Sequence, residues 1–162
     1  MFEHIFIDDK TPDMIPLLGI IAPLLISLIA IISLRNRPPY AFAYILFYII
    51  NHIINHLMKD LIKQNRPVGG KSILTIENYE GTERYGMPSA HMQSIGFSIM
   101  FLYLVKHQNY ILFIELILAS LTMYQRFTFR RHTMEQLITG ALVGVSIAYI
   151  GVYLTDKFLT KQ

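Results

Sequence analysis

The stretch Met14–Leu34 carries no charged side chain over 21 residues. Coiled as an α-helix rising about 1.5 Å per residue, it would run for roughly 31 Å. That matches the hydrocarbon core of a bilayer. Four more apolar stretches follow, Tyr40–Met58, Met92–Val105, Tyr110–Tyr124 and Leu137–Thr155. Of the 162 residues, 53% are hydrophobic and only 15% charged, too apolar a balance for a soluble domain of this size. In lipid every backbone polar group must be satisfied inside the protein, which favours helices. The expected fold class is therefore all-α, an integral membrane helical bundle of about five transmembrane helices, built as one domain over residues 1–162.

The residues before the first span are acidic, with Glu3, Asp8, Asp9 and Asp13 against Lys10, and no small-residue cleavage pattern follows it. An uncleaved first span is expected rather than a signal peptide. Without cysteine the chain has no disulfide and no thiolate nucleophile or ligand. A net charge of +3 is too small to point to nucleic acid. The third and fourth stretches are short, so each should recruit flanking residues such as Ser89 to His91. Pro16 and Pro23 fall inside the first span, where neighbouring helices can tolerate them. Gly140, Gly144 and Ala148 recur every four residues, the pattern of a close-packed helix interface.

With five crossings, the long loop from Lys59 to His91 and the stretch Tyr124–Gln136 lie on the same membrane face. The opposite face carries Arg35, Arg37, Lys106, Lys157 and Lys161 against one acid, Asp156. Cations on the loop face are candidates for phosphate binding and count less as topology signals. The expected placement is a multi-pass protein of the endoplasmic reticulum or cytoplasmic membrane, its site on the non-cytosolic face.

Chemistry concentrates in Tyr124–Gln136, where Arg126, Arg130 and Arg131 precede His132. Three guanidinium groups together suit an anion, and intramembrane charge marks function. On a helix His132 and Gln136 would share a face, making Gln136 an acceptor for the imidazole. The second span ends in a polar stripe of Asn51, His52, Asn55, His56 and Lys59. His52 and His56 have the spacing of a metal pair but no third ligand nearby, so interior hydrogen bonding is the expected role. Lys59 and Arg66, seven residues apart, would point to the same side of a helix that Pro67 then stops. Pro88 fits the first turn of the next helix, with Ser89, Ala90 and His91 at an N-terminus suited to a phosphate oxygen. Glu115, inside the fourth span, should face inward and pair with a second-span His or Asn. Val68 to Met87, with Gly69, Gly70, Gly81 and Gly86, forms a candidate lid.

Lys59 followed by Arg66-Pro67, then Pro88-Ser89-Ala90-His91, then Arg126 six residues before His132, resembles the three-part signature of the type 2 phosphatidic acid phosphatase superfamily, which includes vanadium haloperoxidases and bacterial acid phosphatases. The signature region is 59–136. Three positions depart from the usual pattern: Ala90 for Gly, Gln125 for Ser and Gln136 for an acid. Gly86-Met87-Pro88-Ser89-x-His91 with His132-Thr133-x-x-Gln136 is more specifically similar to the dolichyl-diphosphatase branch. The resemblance implies a lipid phosphatase that converts a polyprenyl diphosphate to the monophosphate. It implies that Lys59, Arg66, Ser89 and Arg126, with the N–H groups of Ala90 and His91, hold the phosphoryl oxygens. His132 would be the nucleophile, giving a phosphohistidine, and His91 the general acid. Arg130 and Arg131 would steer the diphosphate or rest at lipid head groups. No cofactor or metal is implied, and the expected partners are the bilayer and the lipid-linked phosphate. The alternatives are a phosphatase for phosphatidate or another lipid phosphate, a silent phospholipid-binding protein, and a metal hydrolase using His52 and His56.

Overall fold

The computed structural model describes residues 14–71 and 84–160, and five helices lie among them. α1 is Met14–Leu34, α2 Pro38–Ile62, α3 Ala90–Lys106, α4 Asn109–Thr128 and α5 Met134–Phe158. Four of them, all but α3, are long and apolar enough to cross a membrane. Large apolar side chains such as Leu24, Ile45, Ile53, Phe113, Leu142 and Tyr149 point outward. A surface so rich in exposed apolar groups belongs in lipid, and the chain is an integral membrane protein.

α3, at 17 residues, is the axis of the bundle. It touches every other helix, α5 most extensively. The seven consecutive residues Met92 to Ser98 are all buried, so this part of α3 is surrounded by the other helices. α5 reaches it through small residues. A Cβ at Gly140 would meet the backbone of Ser89 and Gln93, and one at Gly144 the backbone of Gln93 and Phe97. Gly96 of α3 returns the contact against Ala141. The four-residue spacing of Gly140, Gly144 and Ala148 thus marks the tightest helix contact of the fold, as expected.

Pro23 inside α1 has no N–H to bond the carbonyl of Gly19 one turn earlier. Thr122 of α4 supplies the missing donor, its hydroxyl 2.7 Å from Gly19 O. Gly19 itself has no room for a side chain, since a Cβ there would sit 2.8 Å from Leu121 O.

The helix ends differ from expectation in three places. α2 ends at Ile62, where Lys63 takes the left-handed conformation (φ 52°) and its N–H bonds Lys59 O. Pro67 is therefore not what stops it, and Arg66 lies beyond the helix rather than on its face. α3 begins at Ala90 with Ser89 as its N-cap, so Pro88 precedes the cap instead of filling the first turn. The Met87–Pro88 bond is cis. α5 begins at Met134 with Thr133 as N-cap, which leaves His132 outside the helix that carries Gln136. Of the candidate lid, 72–83, Gly81 included, lie outside the described residues.

At the end of the bundle away from the arginine stretch, Arg37 Nη1 donates to Val105 O at 2.7 Å and Tyr40 donates to Asp156 at 2.7 Å. The expected pairing of Glu115 with a second-span His or Asn is not found. Glu115 is buried, and its Oε1 has no hydrogen-bond partner among the described residues.

Removing the Thr122 hydroxyl should leave the Gly19 carbonyl unsatisfied in a buried setting, at a cost of about 1–3 kcal/mol. Thr122→Val should lower thermal stability in detergent. In a Pro23→Ala background, which restores the helical N–H, the same change should cost little. Equal losses in both backgrounds would refute this bond.

Candidate active site

The C-terminal ends of α2 and α4 and the N-terminal ends of α3 and α5 meet at one end of the bundle. The long loop and the arginine stretch are joined there, as the crossing parity requires. Lys71 N–H bonds Phe129 O at 2.9 Å, Gly86 N–H bonds Gln64 O at 2.8 Å, and Ser89 N–H bonds Gln136 O at 3.0 Å. Asn65 and Tyr85 form an isolated antiparallel bridge.

Two histidines face the gathered cations. His132 is buried between α4 and α5, and its backbone N–H bonds Arg126 O. Its Nδ1 lies 3.0 Å from Gly86 O and its Nε2 lies 2.9 Å from Arg66 Nη1. A carbonyl only accepts and a guanidinium only donates. Nδ1 must therefore carry the proton, and Nε2 keeps its lone pair. His91, at the start of α3, accepts at Nε2 from Arg126 Nη2. Each imidazole thus has one nitrogen engaged by an arginine from a different segment.

Burial pushes the His132 pKa well below 6.5, helped by the charges of Arg66 and Arg126 and further by Lys59, while the bond to Gly86 opposes the shift. His91 lies within electrostatic reach of Arg126, His132, Arg66 and Lys59. Lys59, Arg66 and Arg126 therefore form one cage around both rings. Ser89 belongs to the same end: its hydroxyl is buried with no hydrogen-bond partner among the described residues. The first intrahelical bond of α3 is Gln93 N–H to Ser89 O at 2.9 Å. The N–H groups of Ala90, His91 and Met92 have no carbonyl of their own helix to reach.

Gln136 does not hold His132. Its side-chain oxygen accepts from Thr133 N–H while Thr133 Oγ1 accepts from Gln136 N–H, a capping box. Its Nε2 donates to Gln64 Oε1 at 2.9 Å and Asn65 O at 3.0 Å. The same amide packs on Gly86, where an added Cβ would sit 2.7 Å from Gln136 Cδ. Gln136 fixes the strand of loop whose Gly86 carbonyl in turn orients the imidazole. The four-residue spacing suggested a direct bond because it assumed a helix running through both residues.

The two remaining arginines separate. Arg131 is buried, and its carbonyl accepts from Arg66 Nη1 at 3.0 Å. Arg130 is exposed, with φ 52°.

Sequence reasoning did not single out Gln93. Buried on α3, it donates to Asn51 O and Oδ1 at 2.8 and 3.0 Å and accepts from Asn55 Nδ2 at 2.7 Å. Asn55 Nδ2 also reaches Pro88 O at 3.2 Å. The polar stripe of α2 is thereby tied to the turn that presents Ser89 and His91. The amide of Gln93 inside an otherwise apolar segment was the available signal. His52 packs edge-on against Tyr48, ring centroids 4.9 Å apart.

Two measurements test this geometry. Gly86→Ala should displace the Gln136 amide and the carbonyl that holds His132, and a misplacement of about 1 Å costs on the order of 10²-fold in rate. Wild-type turnover in a folded Gly86→Ala protein would contradict it. A nitrogen-15 NMR titration should find the His132 ring neutral at pH 6.5. Because its folded pKa is depressed, the ring contributes stability above about pH 6.5 that is lost as pH falls below that value. A ring already protonated at pH 6.5 would exclude the tautomer assigned here.

Residues 39–159 match the family model described as PAP2 superfamily. Dolichyldiphosphatase 1 of Homo sapiens and its counterpart from Mus musculus are each 33% identical over 115 residues, covering 61% of this chain and 46% of theirs. The chain spans about half the length of the curated relatives it matches. The fold is similar to that of a transmembrane PAP2 type phosphatidylglycerolphosphate phosphatase from Bacillus subtilis. The TM-score is 0.69 at 16% identity, over 95% of this chain and 82% of the other. With the signature residues gathered at one end of a membrane bundle and the family model matching most of its length, the chain belongs to the PAP2 superfamily.

Proposed function

We propose that this chain is a lipid phosphatase that removes the terminal phosphoryl group of a polyprenyl diphosphate, leaving the monophosphate, through a phosphohistidine at His132. The observation that carries the reading is the pair of imidazoles, each bonded to a guanidinium, inside one cage of Lys59, Arg66 and Arg126. Similarity to dolichyldiphosphatase 1 supports the choice of substrate.

In this reading the oxygens of the terminal phosphoryl group take over the donors of Arg66 and Arg126. They also meet Lys59, the Ser89 hydroxyl and the free N–H groups at Ala90 and His91. Arg66 leaves Nε2 of His132, which attacks phosphorus in line while its Nδ1–H stays on Gly86 O. Arg126, drawn onto the phosphoryl oxygens, leaves Nε2 of His91, which takes up a proton as the anionic diphosphate enters. The bond from phosphorus to the bridging oxygen breaks, and His91 gives that oxygen this proton. Water then attacks phosphorus, His91 takes the proton of the water, the P–N bond breaks and inorganic phosphate leaves. The three cations supply the charge stabilisation that metal ions provide in many phosphoryl-transfer enzymes. The buried Ser89 hydroxyl and the α3 N-terminus fit an anion. The proposal places the cage on the non-cytosolic side and makes the exposed Arg130 the residue that the diphosphate meets as it arrives.

Protein purified in detergent should release phosphate from polyprenyl diphosphate faster than from phosphatidate or lysophosphatidate. Chelator should not affect the rate, and vanadate should inhibit it. His132→Ala should abolish turnover and the acid-labile phosphoprotein. His91→Ala should cost on the order of 10²–10⁴ in rate. Full activity in His132→Ala, or loss of activity with chelator, would end the proposal.

A further inference from the structure

α3, α4 and α5 leave between them a groove of about 350 Å³, within the roughly 300–1,000 Å³ usual for small-molecule sites. α3 lines it with Ile95 and Ile99, α4 with Leu116 and Met123, and α5 with Ala141 and Val145. Leu116 is exposed, so the groove opens sideways toward lipid. Ser120 also lines it, but its hydroxyl is spent on Leu116 O at 2.8 Å within its own helix.

The helical register joins this groove to the catalytic end. His91 precedes Ile95 by four residues and Arg126 follows Met123 by three, so each shares a face with a groove residue. The side chains of His91 and Arg126 are themselves hydrogen-bonded. Followed along those two helix faces, the apolar trough leads toward this pair. From Met92 to Tyr103 its α3 wall covers roughly 16 Å.

We propose that the groove holds the hydrocarbon tail of the substrate, threaded between α4 and α5 against α3 while the phosphoryl group sits among the cations. This rests on the phosphatase reading and deepens it by assigning where the tail binds. The shape suits an amphiphile with an anion at one terminus. A helix of a second copy, about 10 Å across with its side chains, is too thick for this volume.

The test compares kcat/KM for a long-chain polyprenyl diphosphate and for isopentenyl diphosphate, in detergent. Ala119→Phe narrows the groove from α4, and Val145→Phe does so from α5, in case one variant fails to fold. Leu142→Phe, on the lipid-facing side of α5, is the control. The long-to-short ratio should fall at least about tenfold in both groove variants, through KM, and hold in the control. An unchanged ratio in the groove variants, or an equal fall in the control, would overturn the assignment. Should wild type hydrolyse neither diphosphate, the phosphatase reading fails by itself. A polyprenyl monophosphate with a photoreactive tail then decides the groove. Labelling there should be displaced by excess polyprenyl phosphate and not by phosphatidylcholine, and labelling that both displace equally means a bulk lipid and refutes the proposal.

Discussion

Everything at the candidate active site depends on how closely α5 can lie against α3. Gly140 and Gly144 place the α5 backbone in contact with the backbone of Ser89, Gln93 and Phe97. Only at that separation can Ser89 N–H reach the carbonyl of Gln136 at 3.0 Å and set two helix N-termini side by side. The remaining geometry follows in a chain of contacts. The Gln136 amide packs on Gly86, the Gly86 carbonyl takes the Nδ1 proton, and the lone pair of Nε2 faces Arg66. A single methyl at Gly144 would clash with Gln93 O, and every step after it would shift.

Holding three cations near an apolar bundle is costly unless their surroundings are organised. Lys59 is fully buried and Arg126 is 1% exposed. Polar side chains of the same helices and loops are mutually bonded: Asn51, Asn55 and Gln93 in one set, Gln64 and Gln136 in another. Buried networks of this kind rigidify when they are satisfied. Two buried atoms at this end, the Ser89 hydroxyl at the N-terminus of α3 and Asn55 Oδ1, have no partner among the described residues.

Much of this was legible in the sequence because lipid simplifies the problem. An uncharged segment such as Met14–Leu34 has one stable conformation in a bilayer, and the up-and-down order of five helices puts Lys59 and His132 at the same end. The spacing of Gly140, Gly144 and Ala148 named the helix contact. What was not legible depended on where helices stop. Lys63 ends α2 in a left-handed turn that no glycine or proline announces, and Thr133 caps α5 one residue after His132. Those ends decide that Gly86, not Gln136, bonds the imidazole. A main-chain carbonyl from a distant loop leaves no mark on sequence spacing. Gln93 escaped notice for a related reason: its partners, Asn51 and Asn55, lie on another helix.

The bond from Thr122 to the carbonyl that Pro23 leaves open also couples two rods lengthwise. Hydrocarbon offers that carbonyl no substitute donor, so α1 and α4 cannot slide past each other without breaking a bond that nothing replaces. Thr122 lies one helical turn below Arg126. The long uncharged helix therefore acts as a depth gauge, fixing the height of the Arg126 guanidinium relative to the lipid surface.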